Sequence, residues 1–201
     1  MKTVIIQTAT ALVLTTFFAV SADAQNQGSA GPPVLASKLA PARSGSTQLL
    51  VTSSAFGSGS ELDDKFTQNG DNMSPPLAWT KGPPGTQYYA VLAEDAGVDR
   101  AEPIVHWVIY NIPSSMRGLP QNVPTDATLE NGAVQGKNVR GAAGFIGPKP
   151  PKGQTHPYHF EVFALNAKLN LPANADRNAV VGAMRNHVLA QGDLMAMYTG
   201  K

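Results

Sequence analysis

Residues 158–165, YHFEVFAL, alternate so that Tyr158, Phe160, Val162 and Ala164 face one way and His159, Glu161, Phe163 and Leu165 the other. This is the period of a β-strand. Residues 103–112, PIVHWVIYNI, form a nearly continuous apolar run closed by Pro113, as expected of a strand buried on both faces. Residues 87–93 (QYYAVLA) are rich in β-formers, 49–56 make a shorter and more mixed candidate, and 194–199 read as a last strand. One helical period stands out, over 177–190. There Val180, Ala183, Met184, His187 and Val188 share a face, Asp176 stands ready as N-cap, and Gly192 lies just beyond the end. The spans between these elements are rich in glycine and proline, which predicts a mostly β fold with many turns rather than a βαβ architecture.

The ends of the chain change this picture. Lys2, an apolar centre from Val4 to Val20 and the small residues Ala22-Asp23-Ala24 have the layout of a secretory signal peptide with cleavage after Ala24. Gln7 and several threonines interrupt the apolar stretch and no stop-transfer charges follow, so removal is expected over membrane anchoring. Residues 25–46, rich in Gly, Pro, Ala and Ser without apolar period, read as a flexible leader. The domain is then 47–201, large enough for a real core. No later stretch is long and apolar enough to span a membrane. A periplasmic or secreted location follows. The absence of cysteine rules out disulfides and thiolate chemistry. A net charge of +1 with scattered Lys and Arg argues against a nucleic-acid partner.

Candidate chemistry sits in four groups. Residues 69–79, NGDNMSPPLAW, read first as a turn and a proline-stiffened segment ending on a packed Trp79. Glu94 and Asp95 close the strand QYYAVLA. His106 lies inside an apolar strand, where a buried imidazole needs a partner. Residues 147–166, GPKPPKGQTHPYHFEVFALN, place Lys149, Lys152, His156, Tyr158 and His159 around a loop stiffened by four prolines before a strand. Singly, each has a structural explanation. Together they supply a carboxylate, imidazoles, a phenol and a glycine-containing loop, a set suited to holding a small anion such as phosphate. There is no nucleophile elbow, H-E-x-x-H pair, P-loop or dinucleotide fingerprint. Asp95 with histidines 106, 156 and 159 could hold zinc, but no close-spaced ligand pair specifies it, so neither metal nor cofactor is expected.

In this order, DNMSPPLAW, VLAEDAG, VHWVIYNIP, GPKPPKGQTHPYHFEVFAL and AMRNHVLAQGDLMAMY resemble the bacterial branch of the phosphatidylethanolamine-binding proteins, also called Raf kinase inhibitor-like proteins. The resemblance covers about 49–199. It implies a large central antiparallel β-sheet packed on a smaller sheet, few helices with one near the C-terminus, and an anion pocket at one end of the sheet. By the same resemblance the ligand site is Asp95, His106, Gly147, Pro148, His156 and Tyr158, with Pro150, Pro151 and Gly153 in the loop. Where the family continues after its leading aspartate with a Pro-Asp-x-Pro pattern, this chain has Ala96, Gly97, Val98 and Asp99, which implies a more open or less acidic rim. Ile104 replaces a tryptophan, and Pro157 an arginine that would brace the loop. The implied function is a non-catalytic module for a phosphate-bearing ligand or phospholipid headgroup, with an unidentified protein partner that it inhibits or modulates. A hydrolase using the Asp/His cluster, and a surface interaction protein with a vestigial pocket, remain as alternatives.

Overall fold

The computed structural model describes Met1 and residues 31–201; the expected signal peptide, apart from Met1, and the first residues of the leader lie outside this range. In chain order the elements are α1 (Ala36–Leu39), β1 (Val51–Thr52), β2 (Leu77–Trp79), β3 (Tyr88–Asp95), β4 (Ile104–Pro113), β5 (Gly118–Leu119), β6 (Val134–Gln135), β7 (Thr155–Leu165), α2 (Arg177–Met184) and β8 (Val188–Thr199). Five strands form an antiparallel sheet in the order β6-β4-β3-β7-β8, and β1-β2-β5 form a small second sheet. The mostly β architecture with a larger and a smaller sheet is the one expected.

Period two decides where the core lies. Tyr158, Phe160, Val162 and Ala164 of β7 join Val91, Trp107 and Ile109 against Val51, Leu77 and Trp79 of the small sheet. Phe163 and Leu165 join Leu92, Val108 and Tyr110 against Val180, Val181 and Met184 of α2. Both faces of the large sheet are therefore covered, which explains the continuous apolar run in β4.

Two expected boundaries move. Asp176 does cap α2, its side chain accepting from Ala179 N–H at 2.8 Å, but the helix ends at Met184. Asn186 follows with φ 68, and Val188 already belongs to β8. The helical period ran on because Val188 is buried in the same cluster as Val180 and Met184, although it arrives there from a strand. Gly192 is not a helix cap. It pairs with Val162, and a Cβ there would lie 2.1 Å from the Leu49 carbonyl oxygen, so a close crossing of chains requires glycine. The candidate strand at 49–56 shortens to β1, because at Ser53 the hydroxyl turns to Pro76 O (2.6 Å) and accepts from Ala55 N–H.

The larger departure is the leader. From Val34 onward it docks on the α2 side of the sheet. Ala36 N–H is shared between Glu94 Oε2 (2.9 Å) and Glu161 Oε2 (3.1 Å), and Ser37 N–H goes to Glu161 Oε1 (3.1 Å). Arg177 binds Glu94 through Nε at 2.5 Å and Val34 O through Nη2 at 2.7 Å. Ala36 and Ala40 are buried. A stretch without apolar period still folds here, because its backbone N–H groups satisfy carboxylates that the sheet buries.

Burial, with the Glu94 charge adding to it, pushes the Glu161 carboxyl up from 4.5 to about 8. Between those values the folded chain holds a proton that the unfolded chain releases, so stability falls as pH rises through this window. Urea unfolding should show a loss on the order of a few kcal/mol between pH 5 and pH 8. Glu161→Gln should flatten that slope, and an unchanged slope would refute the assignment.

Candidate functional site

β3 ends on two adjacent carboxylates that alternation sends to opposite faces. Glu94 points to the leader and Asp95 to the other side, where β7 begins. There His156 and Tyr158, two residues apart on the edge of the same strand face, meet it. His156 Nδ1 donates to Asp95 at 2.9 Å from Oδ2 and 3.1 Å from Oδ1. In the imidazolium form Nε2 donates to Gln154 Oε1 at 3.3 Å.

His106 arrives by a β-bulge. Ala93 pairs with Trp107 and Glu94 with Val105, so His106 is the extra residue that β4 inserts between them. Bulges re-aim side chains, and this one sets the imidazole edge-on to Tyr158, with ring centroids 5.3 Å apart and planes at 82°. Its Nδ1–H donates to Ile146 O at 2.6 Å, which leaves Nε2 as the acceptor of the neutral ring. Burial pushes the His106 pKa down; the Ile146 carbonyl and the Asp95 charge oppose this without overcoming it.

Tyr158 lies between the two imidazoles, stacked on His156 at 6.5 Å and 22°. Its hydroxyl is buried, faces the nearby Asp95 carboxylate and makes no close hydrogen bond within the protein. Burial, then the nearby Asp95 charge, raises its pKa far above the usual phenol value, so it remains a donor. Asp95, His106, His156 and Tyr158 are 2%, 5%, 6% and 2% exposed. All four functional groups are thus largely withdrawn from water, where charge-assisted hydrogen bonds gain strength.

Asp95, His106 and His156 line a cavity of about 520 Å³, bounded by Gly97, Val98 and Asp99 on one side and by Lys149, Pro150 and Pro151 on another. Ile104 and Val139 add apolar surface. Three of the sequence-derived ligand residues therefore line it, and Tyr158 packs against both imidazoles without lining it itself. Gly147 and Pro148 do not line the cavity; they stand behind its wall. Gly147 N–H is used by Asn72 Oδ1 (2.7 Å), its carbonyl accepts from Gln68 Nε2 (2.7 Å), and Pro148 O accepts from Gln68 N–H (3.0 Å). A Cβ on Gly147 would meet Phe66 O at 2.5 Å, so glycine is needed for close approach, not for anion contact. His159 also leaves the cluster: it sits on the other face of β7 and pairs with Asp193 at 2.7 Å. Among the described residues no group of three or more His, Asp or Glu side chains is arranged to hold a metal.

The rim departures have a structural role. Ala96 N–H donates to Pro157 O (3.1 Å) and Gly97 N–H to Asp95 Oδ1 (2.7 Å), which lays the loop across His156. A Cβ on Gly97 would lie 2.4 Å from His156 Cγ. The backbone, not a side chain, covers the imidazole here. Sequence reasoning missed Gln68, which carries no motif, passed over Gln154 within the quoted loop, and took Asn72 for turn chemistry. Its φ of 57 fits a turn, yet its side chain also fastens the loop at Gly147.

The model of the phosphatidylethanolamine-binding protein family matches residues 52–199. A UPF0098 protein of Methanothermobacter thermautotrophicus is 38% identical over 144 residues, 72% of this chain and 94% of that protein. The crystal structure of Escherichia coli YbcL, described as a new member of the mammalian PEBP family, superposes with a TM-score of 0.72 at 33% identity, covering 77% of this chain and all of that one. The putative PEBP homolog CT736 of Chlamydia trachomatis gives 0.69 at 28% identity, covering 78% of this chain and all of that one. With a family model matched across both sheets and the cavity between β3, β4 and β7, the chain belongs to the phosphatidylethanolamine-binding protein family.

Proposed function

We propose that this chain is an exported, non-catalytic binding module that holds a phosphate-type anion or phospholipid headgroup in the cavity beside Asp95, His106, His156 and Tyr158. The observation that carries this reading is the convergence of Asp95, His106 and His156 on one cavity, backed by the buried Tyr158 hydroxyl set between the two imidazoles. Buried donors of this kind are satisfied by a partner, and an anionic oxygen is the strongest acceptor available. Asp95 fixes the His156 ring at the cavity wall, and Lys149 adds attraction at the mouth. The apolar Val98, Ile104 and Val139 suit the uncharged part of a substituted ligand. The lining residues contribute no serine, threonine or cysteine that would serve a hydrolase as covalent nucleophile. Export rests on the N-terminal sequence and is tested by following the processed chain in cell fractions.

Titrating the histidine side-chain resonances with phosphoethanolamine and inorganic phosphate tests the site. His106 and His156 should shift saturably. His106→Ala should weaken binding by about two- to tenfold, the loss expected of one hydrogen bond, which Nε2 accepts from a protonated phosphate oxygen. Wild-type affinity in that variant would overturn the assignment of the site. Gly97→Ala should push the His156 ring off Asp95 and weaken binding by about tenfold with the fold retained, since overpacking acts locally. Calorimetric titration and thermal unfolding measure the two effects separately, and unchanged affinity would show that the ring position is immaterial.

A further inference from the structure

The leader and the cavity lie on opposite sides of the large sheet, yet they share two attachments. One is the end of β3, where Glu94 takes the leader's Ala36 N–H while the next residue, Asp95, takes His156. The other is the loop after β3, whose residues Gly97, Val98 and Asp99 line the cavity. Its near end is fastened by Ala96 N–H to Pro157 O and by Gly97 N–H to Asp95 Oδ1. Its far end meets the leader: Val34 N–H donates to Ala101 O at 3.1 Å, while Val34 O accepts from Arg177 Nη2 at 2.7 Å. One residue of the leader thus ties the rim loop to the guanidinium that neutralises Glu94. Glu102 Oε1 adds a longer contact with Asn178 Nδ2 at 3.4 Å.

The attachment of the leader is more than surface contact. Ala36 is fully buried between two carboxylates, and no position in 33–42 lines the cavity. We propose that residues 33–42 are a positioning element for the cavity: docked on Glu94, Glu161 and Arg177, they hold the rim loop 96–103 in its binding geometry, so that affinity depends on a segment that touches no ligand. The inference rests on the anion-binding reading for its affinity arm alone. Coupling of this kind needs an element whose arrangement both sites bias; the rim loop is that element, with His156 under one end and Val34 at the other.

Two variants of the full chain test it. Val34→Pro deletes the N–H that reaches Ala101 and leaves the carboxylates untouched. Ala36→Arg puts a long side chain where none fits and expels the segment. Amide hydrogen exchange at 97–101 is read without ligand, the dissociation constant of phosphoethanolamine by calorimetry, and the fold by circular dichroism. Both variants should exchange faster at 97–101 and bind about three- to tenfold more weakly, the loss expected of one or two net hydrogen bonds. A peptide of residues 31–46 added to Ala36→Arg should restore affinity, which general destabilisation would not allow. Unchanged exchange and affinity in Val34→Pro overturn the proposal, and that variant decides the matter if Ala36→Arg does not fold. If the parent chain binds neither phosphoethanolamine nor inorganic phosphate, the anion reading fails by itself. The exchange measurement still decides whether the segment holds the rim.

Discussion

Two neighbouring carboxylates at the end of one strand organise much of this molecule. Because side chains alternate along β3, Glu94 and Asp95 leave on opposite faces, and both are removed from water. An ionised carboxylate so placed is costly unless it is paired and hydrogen-bonded. Each therefore recruits partners from distant chain: Asp95 takes His156 from β7, and Glu94 takes Arg177 from α2 and a backbone N–H from the leader. The cavity on one side and the docked leader on the other are two answers to the same electrostatic demand.

Within the cavity the same logic separates two histidines of similar burial. His156 has a carboxylate partner and His106 has a backbone carbonyl. One imidazole is thus held against a carboxylate, and the other, with its pKa lowered by burial, remains neutral. Tyr158 between them keeps its proton. The site thus sets a phenol donor beside an imidazole acceptor, without an excess of fixed positive charge.

Much of this was legible in the sequence. Alternation in YHFEVFAL assigned each residue of β7 to its face, and the continuous apolar run announced a strand covered on both sides. Asp95, His106, His156 and Tyr158 were found through ordered motifs, since no single one of them differs locally from a core or surface residue. What escaped depends on contacts distant in sequence. The loop after Ile146 was expected to point Gly147 at an anion, whereas Asn72 and Gln68 occupy that peptide from behind. The helical period continued into β8 because burial, not helicity, set it. The leader read as flexible because its anchor is a set of side chains from three other elements, which no local pattern reports.

The pairing of Asp95 with His156 spans 61 positions, and the β7 segment that supplies the histidine is itself held by β8, where His156 faces Tyr198. As the chain is synthesised, β3 is therefore complete long before Asp95 can find its histidine or Glu94 its arginine. The N-terminal half of the protein passes through its early life with both acidic groups short of the side chains that bind them, and the sheet centre closes only when β7 joins β3. Binding competence arrives late in synthesis, and a protein interrupted before β7 has no site, because His156 and Tyr158 are still to come.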